Sequence, residues 1–311
     1  MLGGKFNPDW SSDGSVWEAW RRTCQPGSSA RRIYSSVRPA FVTHAKNHLT
    51  SHILPGVDFF FANDTSASID FCSAPHAHNQ QGHFFSDWRT IGALYPVLSP
   101  AKAAGFLDIR IPSHYYYGST PQYTYGWDPI NLELKDVDPM EVPWEDKVDM
   151  VFWRGATTGG GNHPPGFSPH YHRHRFVRMA SDASKTPKVV TFAYPPSSTT
   201  NWASVEVPVG DLNQDVLDAA FVKVTAADNY PGGLAALKRD HRFSDSVPLG
   251  AHWGYKYLVD LDGMSYSGRF FAFLASDSVP VKATVYKEFF SDWIQPWYVM
   301  TACESSCSAF F

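Results

Sequence analysis

The stretch YKYLVDLDGMSYSGRFFAFLASDSVPVKATVYKEFFSDWIQP, residues 255 to 296, decides the predicted fold. It opens with an apolar, β-rich run from Tyr255 to Leu261 that suits a buried strand. A Gly/Ser turn follows, and apolar residues then repeat at helical spacing after Arg269, with Ser265 or Ser267 placed to cap the helix. A second short apolar run, Val279 to Val281, completes the unit. The order of strand, small-residue turn, helix and strand predicts a βαβ unit.

The turn of this unit is a candidate anion site. A small-residue turn at a helix N-terminus presents free backbone N–H groups, which bind phosphates above all. Arg269, in the first turn of the predicted helix, would add a fixed positive charge and a two-pronged donor. The residues therefore indicate a diphosphate cradle. The alternative is an ordinary βαβ turn with one solvated arginine.

Length and composition indicate a folded protein with a large core. The chain has 311 residues, of which 43% are hydrophobic and 15% aromatic, enough for two domains of ordinary size. The net charge of −4 gives no indication of a nucleic-acid partner. The four cysteines (24, 72, 303 and 307) are too few for a disulfide-dense scaffold. No apolar run reaches the length of a membrane span, and the first residues do not have the pattern of a signal peptide.

The first half of the chain offers candidate catalytic and sugar-binding residues. Helical patterning occurs around Val16–Arg22 and Ala40–Leu49, and the segment from Cys72 to Pro100 is expected to close as a helix. Residues 53 to 62 predict a strand that ends just before Asp64, where α/β folds place their chemistry, although a turn or cap residue is the alternative. Asp64 also lies within an N-glycosylation sequon. An irregular segment follows that could line a carbohydrate pocket or pack on the surface, and its candidates are Tyr115, Tyr116 and Trp127.

The sequence pattern of the second half predicts strands that alternate with helices. Residues 136 to 144 are acidic and carry prolines, which is typical of a domain boundary, and we place the domains at 1–140 and 141–311. Lys147 to Gly161 predicts a strand and a Gly/Thr loop that carries Arg154 but lacks Walker spacing. His163 to Met179 is expected to be a solvated or acceptor-facing segment, with a metal site at His170–His174 as the alternative. Val189–Ala193 predicts a strand and Asp211–Ala226 an amphipathic helix, so the class is α/β with largely parallel sheets.

Several blocks resemble glycosyltransferase family 90, which includes the fungal capsule-associated glycosyltransferases and the animal protein O-glucosyltransferases. The signature blocks are Phe152–Gly155, Tyr257–Gly263 with Ser267–Arg269, and Ser291–Trp297. Gly82–Arg89 and Ile111–Tyr116 resemble the filamentous-fungal branch. The resemblance runs from about Leu54 to Trp297, with the blocks in the family's order.

The resemblance implies a GT-B-like fold, in which two Rossmann-type halves face each other across a cleft and the C-terminal half holds a UDP-sugar. It implies inverting transfer of glucose or xylose to a hydroxyl of a glycan or protein acceptor, in the ER or Golgi. The family's general base carries over to Asp64, with Asp70 as the fallback. The implied UDP-sugar-binding residues are Arg154, Thr157, Thr158, Gly263, Ser265, Ser267, Gly268 and Arg269, and the acceptor candidates are Tyr115, Tyr116 and Trp127.

Inverting transfer needs one base beside the acceptor hydroxyl and positive charge at the departing diphosphate, which these residues would supply. This chemistry requires no cofactor beyond the UDP-sugar donor. The rival interpretation is that Asp260 and Asp262 form a metal-binding Asp-x-Asp motif, in which a divalent ion such as Mn²⁺ carries the diphosphate.

The family normally continues beyond Trp297 through further elements, so we expect the donor half to be truncated, and the fungal relatives' N-terminal membrane anchor is missing. A non-catalytic relative that binds a nucleotide sugar or glycan is therefore the alternative function. A metal-dependent hydrolase that uses the His and Asp clusters is a third.

Overall fold

The computed structural model describes residues 10–32, 70–75, 78, 81–85, 87–91, 96–113, 115, 127–128, 133–134, 141–159, 171–225, 227–294 and 301–303. Within them the helices are α1 (Val16–Thr23), α2 (His172–Ala180), α3 (Val209–Val216), α4 (Gly233–Asp240) and the single turn α5 (Phe270–Phe273). Short 3₁₀ turns span Gly82–Phe85, Trp144–Asp146, Ala227–Asn229 and Leu249–Gly254. In this part of the chain no helix is both long and apolar enough to cross a membrane.

The strands of the first half are short and pair in ribbons. They are β1 (Trp10–Ser15), β2 (Asp87–Ile91), β3 (Leu98–Ser99), β4 (Ala101–Lys102), β5 (Ile109–Arg110), β6 (Trp127–Asp128) and β7 (Glu133–Leu134). The second half adds β8 (Val148–Ala156), β9 (Pro187–Ala193), β10 (Trp202–Pro208), β11 (Leu217–Lys223), β12 (Tyr255–Leu261), β13 (Val279–Ala283), β14 (Lys287–Glu288) and β15 (Thr301–Cys303).

A parallel five-stranded sheet forms the centre of the second half. Its strand order is β11-β8-β12-β13-β15, and every neighbouring pair runs parallel. The βαβ unit predicted from residues 255 to 283 is confirmed, because β12 and β13 are parallel neighbours joined through α5. The α/β class with a parallel sheet is therefore confirmed.

Both faces of this sheet are covered. On one face Phe176 and Val177 of α2 pack against Trp153, Leu261 and other buried residues of the strands. On the other face Trp253 and Phe273 pack against Phe152 and Leu258 of the strands. A parallel sheet buried on both sides explains why its strands have near-continuous apolar runs.

A second core lies in the N-terminal part. It consists of Trp17, Trp20, Phe71, Phe84 and their neighbours, and the Cys24–Cys72 disulfide ties α1 to it. This part contacts the segment that follows β13, because β4 pairs antiparallel with β14. Arg110 strengthens the contact, because it donates to the carbonyl of Glu288 at 2.7 Å and pairs with Asp292.

Three secondary-structure expectations are wrong. The helix expected over 211–226 ends at Val216, and the chain continues as β11, because pairing with β8 buries Ala219 and Phe221 and overrides their helical propensity. The described residues of the segment 72–100 contain a 3₁₀ turn and strands where a helix is expected. The strand predicted at 189–193 is confirmed, and it pairs with β10 in an antiparallel hairpin outside the parallel sheet.

The third correction concerns α5. Its N-cap is Arg269 and no side chain caps it, so neither Ser265 nor Ser267 has the predicted capping role. Four residues make one turn, which gives α5 little of the aligned dipole expected of a longer helix. The predicted anion site therefore lacks its helix N-terminus.

Candidate functional site

The strand order places a winding reversal between β8 and β12. From β8 the chain crosses to β11 on one side of it and later to β12 on the other. In open parallel sheets, ligands bind at the carboxyl ends of the strands where the winding direction changes. The loops at this position are residues 157–159 after β8 and 262–269 after β12, and we name this region the switch-point edge.

The two loops of the switch-point edge lie in contact. Gly159 has a φ of +87°, and a Cβ at this position would lie 3.0 Å from the carbonyl oxygen of Gly263. The same Cβ would lie 2.8 Å from Cε1 of His172. The structure therefore brings together the two segments that the sequence assigns to the sugar donor.

The two threonines of the first loop have different surroundings. Thr157 is fully buried, and its hydroxyl donates to the carbonyl of Thr225 at 3.2 Å and accepts from the amide of the same residue at 2.8 Å. Its hydroxyl is therefore committed to the end of β11. Thr158 is half-buried, and its hydroxyl accepts from Arg173 at 2.6 Å.

The second loop is closed by local bonds. The amide of Gly263 donates to the carbonyl of Ser265 at 3.0 Å, and the Ser265 side chain hydrogen-bonds to Tyr286. Ser267 is buried, while Ser265 and Gly268 are half-buried. Of the two serines expected to contact phosphate, Ser265 has the more accessible side chain.

The two arginines predicted to hold a diphosphate lie close to each other. Arg269 donates to the backbone carbonyl of Arg154. The Nη2 of Arg154, however, donates to both carboxylate oxygens of Asp218, at 2.8 and 2.9 Å, and its Nη1 donates to the carbonyl of the same residue at 2.8 Å. Its guanidinium is therefore engaged by Asp218, which also pairs with Arg242, so Arg269 is the better placed of the two for an anion.

Both arginines affect His252, which lies beside Phe152 and Phe273. Burial, with a smaller contribution from the positive charges of Arg269 and Arg154, lowers the pKa of His252 to about 3. The imidazole of His252 is therefore neutral.

The acceptor candidate Tyr115 lies against the second loop. A Cβ at Gly268 would be 2.8 Å from Cδ2 of Tyr115. Two residues earlier, the hydroxyl of Ser113 lies 2.5 Å from that of Tyr266. The backbone of Trp127 belongs to the ribbon of β6 and β7, and Tyr116 lies outside the described residues.

The candidate bases are only partly described. Asp64 lies outside the described residues. Asp70, the fallback, accepts from the amide of Cys72 at 2.9 Å and from the hydroxyl of Ser73. These contacts are those of a residue that fixes its own turn.

The two aspartates of the proposed metal motif have separate partners. Asp260 pairs with Lys282 at 2.7 Å, and Lys282 also pairs with Glu288 at 2.9 Å, with all three side chains buried. Asp262 accepts from the amide of Val285 at 2.9 Å. Among the described residues, no group of three or more His, Cys, Asp or Glu side chains has the arrangement of a metal site.

Asp262 is the most perturbed carboxyl group of the switch-point edge. Burial raises its pKa to about 7, against the attraction of Lys282. The opposite holds for Lys282, where burial favours the neutral form but Asp260, Glu288 and Asp262 raise its pKa above the ordinary range. The lysine is therefore charged, and Asp262 titrates near neutral pH.

The segment 163–179 is not solvated over its described part. Residues 171–179 lie mostly in α2, and His172, Arg173, His174 and Arg175 are all buried. His172 Nε2 lies 2.6 Å from the carbonyl of Asp262, and His83 packs beside both His172 and Tyr286. The prediction of a solvated or acceptor-facing segment is wrong here, because α2 buries these residues against the sheet; residues 160–170 lie outside the described part.

The sequence pattern does not identify His172, Arg173 and His83 as neighbours of the candidate site. One signal was present, since His and Arg alternate over residues 172–175, a short distance after the Gly/Thr loop in the sequence. His83 lies within one of the blocks that resemble the fungal branch.

No protein-family model matches the chain. No curated protein matches it either.

Proposed function

We propose that the chain binds a UDP-sugar at the switch-point edge and transfers glucose or xylose, with inversion, to a hydroxyl of a glycan or protein acceptor. The observation that carries the proposal is the contact between the loops after β8 and β12 at a winding reversal of a parallel sheet. Two of the blocks that resemble glycosyltransferase family 90 lie in β8 and β12, and the second block continues into the loop after β12.

In the proposed complex, the diphosphate lies beside Arg269 and the hydroxyl of Ser265. Charge-assisted hydrogen bonds from a guanidinium are strong and suit a phosphate oxygen. The proximity of Tyr115 to Gly268 puts an aromatic ring of the acceptor segment next to the donor loop. The proposed architecture is GT-B-like, with residues 141–311 as the donor half and 1–140 as the acceptor half.

The proposed reaction is a single displacement. Asp64 accepts the proton of the acceptor hydroxyl while that oxygen bonds to the anomeric carbon. The bond between the anomeric carbon and the diphosphate oxygen breaks, and UDP leaves with the bonding electrons. Arg269 stabilises the negative charge that develops on the leaving diphosphate.

The Cys24–Cys72 disulfide supports the secretory pathway as the proposed location. Disulfides form and persist in oxidising compartments such as the ER lumen, and they are rare in the cytosol.

One observation favours a second candidate, a nucleotide-sugar-binding relative without turnover. Arg154 is held by Asp218, so one of the two guanidiniums expected at the leaving group already has a partner. Binding of a nucleotide sugar would need less positive charge at the diphosphate than the departure of UDP requires.

The test is calorimetric binding of UDP together with UDP release from UDP-glucose and UDP-xylose, each with and without Mn²⁺. In Arg269→Met we expect the affinity for UDP to fall roughly 10- to 100-fold, the size of a hydrogen bond to a charged group. Arg239→Met is the matched control, because Arg239 has a side chain that is 72% exposed and pairs with the adjacent Asp240 on α4.

Asp64→Asn separates the two candidates. Turnover that disappears in this variant while UDP still binds supports the transferase. UDP binding without turnover in the wild type supports the second candidate. If the wild type does not bind UDP, both candidates are rejected.

A further inference from the structure

We propose that Arg173, the second residue of α2, is a positioning residue that holds the two loops of the switch-point edge in one arrangement. The effect of Arg173 on ligand binding rests on the proposed function, whereas its effect on the two loops does not.

Arg173 contacts the ends of both strands. Its Nη1 donates to the carbonyl of Ala156 at 3.1 Å and to the hydroxyl of Thr158 at 2.6 Å. Its Nη2 donates to the carbonyl of Leu261 at 3.0 Å. One guanidinium therefore bonds to the last residue of β8, the loop after it and the last residue of β12.

The burial of Arg173 makes these bonds more important. Only 7% of the residue is exposed, and a buried charged group is tolerated where its donors are satisfied. The planar fork of a guanidinium offers donors in fixed directions, so it can bridge separate acceptors in a way that the single ammonium of lysine cannot.

The neighbouring residue acts on the same loops. His172 Nε2 lies at hydrogen-bond distance from the carbonyl of Asp262, so it donates there, and the ring packs under Gly159. Burial lowers the pKa of His172 well below its usual range, with a smaller contribution from His83, so the imidazole is neutral and keeps one donor. Arg173 and His172 together thus bond to four residues at the ends of β8 and β12, namely Ala156, Thr158, Leu261 and Asp262.

Arg173 is also coupled to the proposed diphosphate-binding residue. Its guanidinium carbon lies 5.6 Å from the Trp153 ring centroid, and that of Arg269 lies 5.7 Å from the same ring. Both distances are within the range of a cation–π interaction. Arg173 and Arg269 therefore share the ring of Trp153, which the core holds in place, and loss of Arg173 would change the surroundings of Arg269.

The experiment is hydrogen–deuterium exchange on the ligand-free protein, in the wild type, Arg173→Met and Arg173→Lys. In Arg173→Met we expect exchange to rise at least about tenfold in peptides that cover 155–159 and 261–268, because local opening there no longer breaks these bonds. Peptides of β13 (279–283) should keep the wild-type rate. Arg173→Lys should show an intermediate rise, since it keeps the charge but loses the fork.

Arg178→Met is the matched control, because Arg178 is half-buried in the last turn of the same helix. It should leave both loops unchanged. Unchanged exchange of the loops in Arg173→Met would overturn the inference. A uniform rise that includes β13 would also overturn it, because it would indicate a role in general stability.

UDP binding gives a second measurement. If the wild type binds UDP, Arg173→Met should weaken binding at least tenfold and Arg173→Lys should restore part of it. Equal affinity in wild type and Arg173→Met would overturn the positioning role. A wild type that does not bind UDP would reject the proposed function, and the exchange data would then decide whether Arg173 holds the loops.

Discussion

The central sheet and the β9–β10 hairpin have similar strand-forming residues and opposite environments. In β12 the last four residues, Leu258 to Leu261, are all buried. In β9 five of the seven residues are exposed, and Val189 and Phe192 are 60% and 42% accessible. The difference lies in the neighbours, since β12 has a strand on each side and cover on both faces, whereas β9 pairs only with β10.

This difference indicates where the energy of folding and the candidate chemistry are concentrated. The buried sheet can hold charged groups such as Lys282 of β13, and Arg173 of the covering helix α2, only because every neighbouring element is fixed around them. A hairpin that is exposed on both faces has no comparable support. We therefore expect substitutions in the sheet to change stability much more than substitutions in the hairpin.

The largest effect is expected from Lys282→Met. This variant leaves the carboxylates of Asp260 and Glu288 buried without their cation, which should lower the free energy of unfolding by about 3 to 5 kcal/mol. Urea unfolding measures the change. Lys287→Met, an exposed lysine of β14, is the control and should change stability by less than about 0.5 kcal/mol. Equal losses of unfolding free energy in the two variants would contradict the expectation that the buried charges of the sheet matter more to stability than exposed ones.

The second effect is a pH dependence in Asp262→Asn. The folded-state pKa of Asp262 is raised to about 7 by burial, so between pH 4 and 7 the folded protein keeps a proton that the unfolded chain releases. This proton stabilises the wild type at low pH, and the stabilisation is lost as the pH rises through the folded pKa. From pH 5 to 7 the wild type should therefore lose about 2 to 3 kcal/mol relative to the variant.

Buried histidines act in the opposite direction, so the comparison must use the difference between the two proteins. Burial lowers the pKa of His83, His174 and His252 to about 3, so their contribution is lost as the pH falls below that of an unfolded histidine. Both proteins contain these residues, and their effect cancels. A difference that does not vary between pH 5 and 7 would show that Asp262 is charged throughout.

A third, smaller effect should come from Gly159→Ala at the junction of the two loops. The variant combines a positive φ with contacts to His172 and Gly263, and we expect a loss of about 1 to 2 kcal/mol and weaker UDP binding. Gly233→Ala is matched for backbone conformation, with a φ of +66°, but its Cβ would meet nothing within 4 Å. Thermal unfolding and UDP binding of both variants separate the cost of the positive φ from the cost of the contacts at position 159. Equal losses of stability in the two variants would mean that these contacts contribute nothing.

The sequence was sufficient for elements whose apolar pattern agrees with their tertiary role. The strands within Lys147–Gly161 and at Tyr255–Leu261 are predicted from the sequence, and the second pairs in parallel with β13 as expected of the predicted βαβ unit. The helix predicted over 211–226 failed at Leu217, because Leu and Ala suit a helix and only the neighbouring strand selects the extended form. Local pattern does not contain that information.

The candidate site shows the same limit. Arg154, Gly263 and Arg269 were found, because glycines and arginines after a strand have a chemical meaning on their own. The partner of Arg154 was not predicted, since Asp218 lies 64 positions away and contacts it only through the pairing of β8 with β11. Arg173 was misjudged because a tract rich in His and Arg is usually solvated, and only the packing of α2 on the sheet buries it.

The smallest effect is expected in the hairpin, from Phe192→Ser. Phe192 faces Ala203 across the two strands and remains 42% exposed, so its removal should change the free energy of unfolding by no more than about 0.5 kcal/mol. Phe273→Ser is the matched change in the core, where the ring is 1% exposed, and it should cost at least about 3 kcal/mol. Urea unfolding of the pair compares the two regions directly. A large loss in Phe192→Ser would mean that the hairpin is covered by another surface in solution, because a ring open to water has no such energy to lose.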